Sequence, residues 1–158
     1  MTSKPIAIAA DKVPPRAKPS AYPEPFYSRM LKRQKQPLGD FFGLATIGVN
    51  RTTLRPGGES SVLHRHTVQD EMIFVLEGHP TLVTETERVR LSPGDCAGFL
   101  ANGVAHQLVN ETDRPAVFLE MGDRLPDDEG IYPKDDLKAE KRADGRWAFF
   151  HKNGTPYD

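Results

Sequence analysis

Two histidines one residue apart, His64 and His66, stand ahead of a glutamate, Glu71, in the stretch GGESSVLHRHTVQDEMIFVLEG, which runs from Gly57 to Gly78. In an extended strand successive side chains point to opposite faces, so His64 and His66 share a face and Arg65 takes the other. The polar run Thr67 to Asp70 can turn the chain, so that Glu71 opens a returning strand with its carboxylate aimed at the same point. Two imidazoles and a carboxylate suit a first-row divalent metal and leave a position for a further protein ligand.

His106, in GVAHQLVN, is the histidine placed to fill that position. It begins a short alternating segment, and a strand here can pair beside the His64 segment in an antiparallel barrel, bringing the third imidazole across from the first two. His79 lies between Gly78 and Pro80 and reads as a turn residue, and His151 lies in the polar tail. Neither has a partner at ligand spacing.

The rest of the chain reads as a scaffold for these four residues. Its 158 residues suit one domain, and glycine and proline (13 and 14 residues) favour short elements joined by turns. Residues 1–40 read as an N-terminal arm, poorly ordered at first, whose Tyr22, Phe26, Tyr27, Met30 and Leu31 pack across the domain or a second copy of it. Residues 41–122 carry the barrel. Within them FFGLATIGVNRTTL reads as one bent strand or two, SVLHRH as a strand, and EMIFVLEG as a strand covered on both faces. HPTLVT and ERVRLS form a hairpin, followed by short strands at CAGFL, HQLVN and AVFLEMG. Close, regular spacing of some eight strands predicts an all-β sandwich or barrel. Residues 123–158 form a polar extension anchored by Ile131, Tyr132, Leu137, Trp147, Phe149 and Phe150, extended on the barrel surface with a helical turn near Lys134 to Leu137. The paired aspartates 127, 128, 135 and 136 lack calcium-loop spacing and read as solvated surface charge.

These motifs resemble the cupin superfamily. One cupin motif is matched at every position by Gly58, His64, His66, Glu71 and Gly78. The second is matched by Gly94, Gly103, His106 and Asn110, with Ala101 where the family has a proline and one extra residue after Gly94. The resemblance implies a double-stranded β-helix, or jelly-roll barrel. It also implies one divalent ion per chain (manganese, iron, zinc or nickel) held by His64, His66, Glu71 and His106. The flanks YPEPF, YPKDDL and HKNGTPY look like those of small single-domain bacterial cupins, some labelled sugar-phosphate isomerases.

The net charge of −1 gives no field for nucleic acid or anionic membrane, and the basic run RMLKRQK reads as a solvated face. No apolar run approaches a bilayer span, and the N-terminus lacks the apolar core of a secretory signal, so a cytoplasmic location is expected. The function expected is a metal-dependent enzyme acting on a small polar or sugar-like substrate, an isomerase among the options. The alternatives are a metal-containing small-ligand binding or sensing protein, a non-haem iron dioxygenase, and a barrel with a vestigial site. Isomerisation needs a base, and Glu59, Glu77 and Glu120 read as surface or rim. Arg51, Arg55 and Arg65 are the candidates for a basic rim, and Cys96 reads as a small buried core residue. Apolar outer strand faces predict a homodimer.

Overall fold

The computed structural model describes residues 4–158. Twelve strands carry the chain: β1 (Arg33–Pro37), β2 (Ile47–Leu54), β3 (Arg65–His66), β4 (Glu71–Glu77), β5 (Thr81–Thr84), β6 (Arg88–Arg90), β7 (Cys96–Phe99), β8 (His106–Val109), β9 (Ala116–Asp123), β10 (Glu129–Ile131), β11 (Lys138–Lys141) and β12 (Trp147–Phe150). Among the described residues helix is confined to short pieces, a 3₁₀ turn at Ala10–Lys12, α1 (Phe26–Arg29) and α2 (Leu38–Phe42). A five-stranded sheet has the order β1-β2-β9-β4-β7, a three-stranded sheet β6-β5-β8, and a four-stranded sheet β12-β11-β10-β3. Every pairing is antiparallel, and the sheets enclose a jelly-roll interior.

Alternation along the five-stranded sheet decides which side chains enter the barrel. Leu54, Ile73, Val75, Phe99 and Phe118 meet Leu91 and Leu108 from the opposite wall in one buried cluster. The register sets Thr52 of β2 beside Phe118 of β9, and Phe118 beside Val75 of β4, so a single inward row crosses three strands. Gly78 ends β4 at φ 74°, where a Cβ would lie 2.5 Å from the carbonyl oxygen of Pro115. Only glycine suits both that left-handed backbone and that approach.

Several local expectations change. Phe41 and Phe42 belong to α2, which Gly43 closes in the left-handed region, so the strand starts later, at Ile47. In SVLHRH only Arg65–His66 joins a strand. The adjacent residues Val62 and Leu63 are both buried, which a pleated segment with one wet face does not allow. In β4, Met72, Phe74 and Leu76 are about two-fifths exposed, so one face lies uncovered within the chain. Cys96 is exposed rather than buried, because β7 turns Ala97 and Phe99 inward and leaves Cys96 beside Phe74 on the outer face.

The two ends of the chain are more ordered than their composition suggests. β1 adds an edge strand to the barrel, and its Pro37 is tolerated because an edge strand need not donate on both sides. The Gln36 side chain donates to the carbonyls of Asp11 and Val13, docking that part of the arm, while residues 1–3 of the expected poorly ordered stretch lie outside the described residues. The tail is a sheet rather than an extended strap: β10, β11 and β12 pair in succession, and β10 pairs with β3. Lys134 to Leu137 form a turn and bends, not a helical turn. Phe26 and Met30 of the arm pack with Val62, Tyr132, Leu137 and Ala139 in a second core, with Trp147 and Phe149 at its margin. Both ends therefore close over the region where His64 and His66 leave the barrel wall.

Candidate metal site

His64 and His66 flank Arg65 at the short strand β3, Glu71 opens β4, and His106 opens β8. His64 and His106 are tied as a backbone bridge, each N–H donating to the other's carbonyl, at 3.2 and 2.8 Å. That bridge brings the third imidazole to the first two. The Nε2 atoms of His64 and His66 are 3.1 Å apart, and His106 Nε2 lies 3.0 Å from Glu71 Oε2. His66 Nε2 is 3.4 Å from Glu71 Oε1, and His64 Nε2 is 3.7 Å from Oε2. His64, His66 and Glu71 alone offer three ligand atoms within 4.8 Å of one another.

Each imidazole is fixed from behind. His64 Nδ1 lies 2.9 Å from the Val62 carbonyl and His106 Nδ1 3.3 Å from that of Val104. A carbonyl only accepts, so both Nδ1 atoms carry protons and both rings turn Nε2 inward. His66 Nδ1 meets the carboxylate of Asp128 at 2.6 Å. His106 is also stacked on Phe99, with ring centres 3.5 Å apart. Glu71 Oε2 is buried with no donor assigned to it, 3.0 Å from His106 Nε2 and 3.7 Å from His64 Nε2, so ligand-type atoms crowd one another across the gap. Such a cluster is costly unless a cation lies at its centre. Ligands about 2.1 Å from one ion stand about 3.0–3.4 Å apart, and the observed contacts bracket that edge length. The residues present fit a metal ion.

The electrostatics point the same way. Burial lowers the pKa of His64, favouring the neutral ring. Burial opposes charge on His66 as well, but the hydrogen bonds to Asp128 and Glu71 outweigh it and push the group up to about 9. Burial would raise the Glu71 carboxyl, yet the imidazoles around it, His106 first, hold it well below the usual carboxylate range. Positive charge at the centre, proton or metal ion, is what the arrangement favours.

Asp128 was expected as solvated surface charge and is instead 1% exposed. Its carboxylate holds His66 and accepts from the backbone N–H groups of Val68 and Gln69, so it also shapes the loop leading to Glu71. Burial raises its pKa, and those hydrogen bonds more than reverse the effect, keeping it ionised. No local spacing marks Asp128 in the sequence; the pairing of β10 with β3 delivers it.

The cluster forms part of the wall of a cavity of about 1400 Å³. Tyr22, Arg33 and Lys35 from the arm, Glu120 from β9, and Tyr132 and Trp147 from the tail line the same space. Glu120 is thus not a rim residue: its Oε2 lies 2.6 Å from the Lys35 ammonium inside the cavity. Burial lowers the Lys35 pKa, against the attraction of Glu120. The arginines expected at the rim point elsewhere. Arg51 donates to Gln36, Arg55 to the Leu31 carbonyl, and Arg65 faces Glu85 at 3.9 Å. Glu59 is held by Arg29 and Gln107. His79 contacts the Leu91 carbonyl and His151 pairs with Asp136, so neither approaches the cluster. Among the described residues no helix is long and apolar enough to cross a membrane.

A family model described as "Cupin domain" matches residues 50–122. The crystal structure of a cupin-superfamily sugar phosphate isomerase from Silicibacter pomeroyi is similar at 38% identity, with 96% of each chain covered and a TM-score of 0.89. A candidate sugar phosphate isomerase from Acidithiobacillus ferrooxidans is similar at 32% identity, with 77% of each chain covered and a TM-score of 0.70. The polyketide cyclase RemF from Streptomyces resistomycificus, at 18% identity and a TM-score of 0.60, shares the fold. No curated protein matches the chain. With the family match running through Glu71 and His106, and a solved relative aligned along nearly the whole length, this chain belongs to the cupin superfamily.

Proposed function

We propose that this protein is a metal-dependent enzyme acting on a small polar or sugar-like substrate, with aldose–ketose isomerisation as its reaction class. One observation carries the reading: three inward Nε2 atoms and the unbonded Glu71 Oε2 converge on one point in the wall of a large cavity. His64, His66, Glu71 and His106 are the ligands of one divalent ion per chain, of the manganese, iron, zinc or nickel type. Four protein ligands leave coordination positions open to the cavity, and an ion there supplies Lewis acidity toward a carbonyl or hydroxyl oxygen.

The protein's own contribution to isomerisation is proton traffic. Exchange between an aldose and a ketose moves one proton between neighbouring carbons and one between their oxygens, and it requires no outside oxidant. Glu120 supports this reading. It faces inward from β9 opposite Ile73, two residues along β4 from Glu71, and such diagonal same-face neighbours stand about 7–8 Å apart. A substrate at the cluster lies within its reach, and the Lys35 ammonium 2.6 Å away orients the carboxylate. The names of the two relatives, a sugar phosphate isomerase and a candidate for one, agree with this class.

The exposed outer face of β4, with Met72, Phe74 and Leu76, is the surface through which we propose a homodimer forms. The Phe26 and Trp147 regions are spent on the second core and do not cover it.

The test of function is elemental analysis of the purified protein, followed by incubation of the metal-loaded form with aldoses and ketoses, free and phosphorylated, in D2O. Isomerisation with solvent deuterium entering the substrate, lost in His66→Ala, is expected. A protein that holds metal yet exchanges and converts none of them is a binding or sensing protein instead.

A further inference from the structure

Arg33 and Lys35 sit two residues apart on β1, so strand alternation turns both toward the barrel interior, where they line the same cavity as the histidine cluster. Arg33 is 8% exposed. Its two terminal nitrogens donate to the carbonyls of Ser60 and Pro19, each at 2.5 Å. A guanidinium carries five N–H donors, and the Nε donor of Arg33 is buried without a partner. Among the described residues no carboxylate lies within 4.0 Å of this guanidinium. Carbonyl dipoles alone do not offset a buried charge.

Lys35 is paired, but with Glu120 only. The inner face of β1 and β9 therefore holds a buried guanidinium and a half-buried ammonium against one carboxylate, an excess of one positive charge. Arg16 and Lys18 stand on the same cavity wall, Arg16 facing Asp40 at 3.6 Å. A merely structural clamp between Pro19 and Ser60 requires two donors and not a full charge. An anion in the cavity offsets the charge and can accept from the terminal N–H groups not spent on Ser60 and Pro19.

We propose that Arg33 and Lys35 form a subsite for the anionic group, a phosphate or a carboxylate, of the substrate whose polar end meets the His64–His66–Glu71–His106 cluster. The proposal rests on the reading that this cavity takes a small polar substrate. It narrows that substrate to a molecule carrying an oxyanion a few bonds from the reacting carbons, because Glu120, the partner of Lys35, stands opposite Ile73, two residues along β4 from Glu71. Arginine suits the role through its planar fork and lysine as a point charge. The negative Glu120 narrows the choice further, since an incoming anion competes with it for Lys35.

The experiment is calorimetric titration of the metal-loaded, full-length protein with inorganic phosphate and, separately, with acetate. Saturable binding of at least one anion is expected, weakened tenfold or more by Arg33→Gln and by Lys35→Gln, with metal content unchanged in both variants. Tighter phosphate assigns a phosphorylated substrate, and tighter acetate assigns a carboxylate. If neither anion binds saturably, or if both variants bind as the wild type does, the subsite is overturned; the second outcome places the anion on the metal. Should Arg33→Gln fail to fold for want of its Pro19 and Ser60 contacts, Lys35→Gln carries the test. A wild type that holds no metal but binds an anion through these residues defeats the metal-enzyme reading and leaves the subsite standing.

Discussion

The buried carboxylate of Asp128 lies 2.6 Å from Nδ1 of His66, a residue 62 positions away in sequence. It fixes the tautomer that turns His66 Nε2 toward the cluster and raises the ring's basicity as a ligand. Asp128→Asn is expected to weaken metal affinity about 10–100-fold. Competition against a chromophoric chelator measures this, and unchanged affinity removes Asp128 from the site's machinery.

Loss of an imidazole is expected to empty the site without unfolding the barrel, because the side chains cluster at the cavity wall beside the main core. His66→Ala and His106→Ala should lower bound metal from one per chain toward none, with the far-ultraviolet circular dichroism retained. Chelation of the wild type should lower Tm. A ligand present at a thousandfold excess over its Kd stabilises by roughly 4 kcal/mol. A chelated protein melting at the same temperature as the untreated one argues against bound metal.

Glu120→Gln keeps the shape of the side chain and removes its ability to take a proton. If Glu120 transfers the substrate proton, turnover should fall by about 10²–10⁴-fold with metal content intact. The diagnostic reading is solvent deuterium in the product, which should disappear with turnover. Exchange at the wild-type rate would assign the base elsewhere.

Gly78 combines a left-handed backbone with a 2.5 Å approach to the Pro115 carbonyl. Gly78→Ala should destabilise the fold by about 1–3 kcal/mol through backbone strain and the displaced β9 entrance. Urea unfolding followed by tryptophan fluorescence reads this change, and a midpoint equal to that of the wild type would show that the turn relaxes freely.

Phe74 stands on the exposed outer face of β4 with Met72 and Leu76. Light scattering of the wild type at micromolar concentration should give twice the chain mass, and Phe74→Glu should return it to the monomer mass. A wild type that is monomeric at that concentration sinks the dimer.

The residues themselves point to the centre of the candidate site. The one-residue spacing of His64 and His66 converts to a shared direction wherever the chain is extended, and the polar turn before Glu71 returns the carboxylate to the same place. These are local relations, so they were legible without a fold even though Ser60 to Leu63 do not run as the expected strand. His106 followed from its place in a second short strand, since antiparallel pairing of neighbouring segments is a coarse property that turn spacing conveys. Tertiary structure alone decided what surrounds them. Asp128 reaches His66 through the pairing of β10 with β3, and Arg33, Lys35 and Glu120 reach the cavity through pairings between β1 and β2 and between β2 and β9. Composition assigned the first of these residues to solvent and left Glu120 at the rim, because charge density says nothing about a carboxylate that finds hydrogen-bond donors in the interior. Burial of a charge depends on partners brought from distant parts of the chain, and only the register of the strands determines which partners those are.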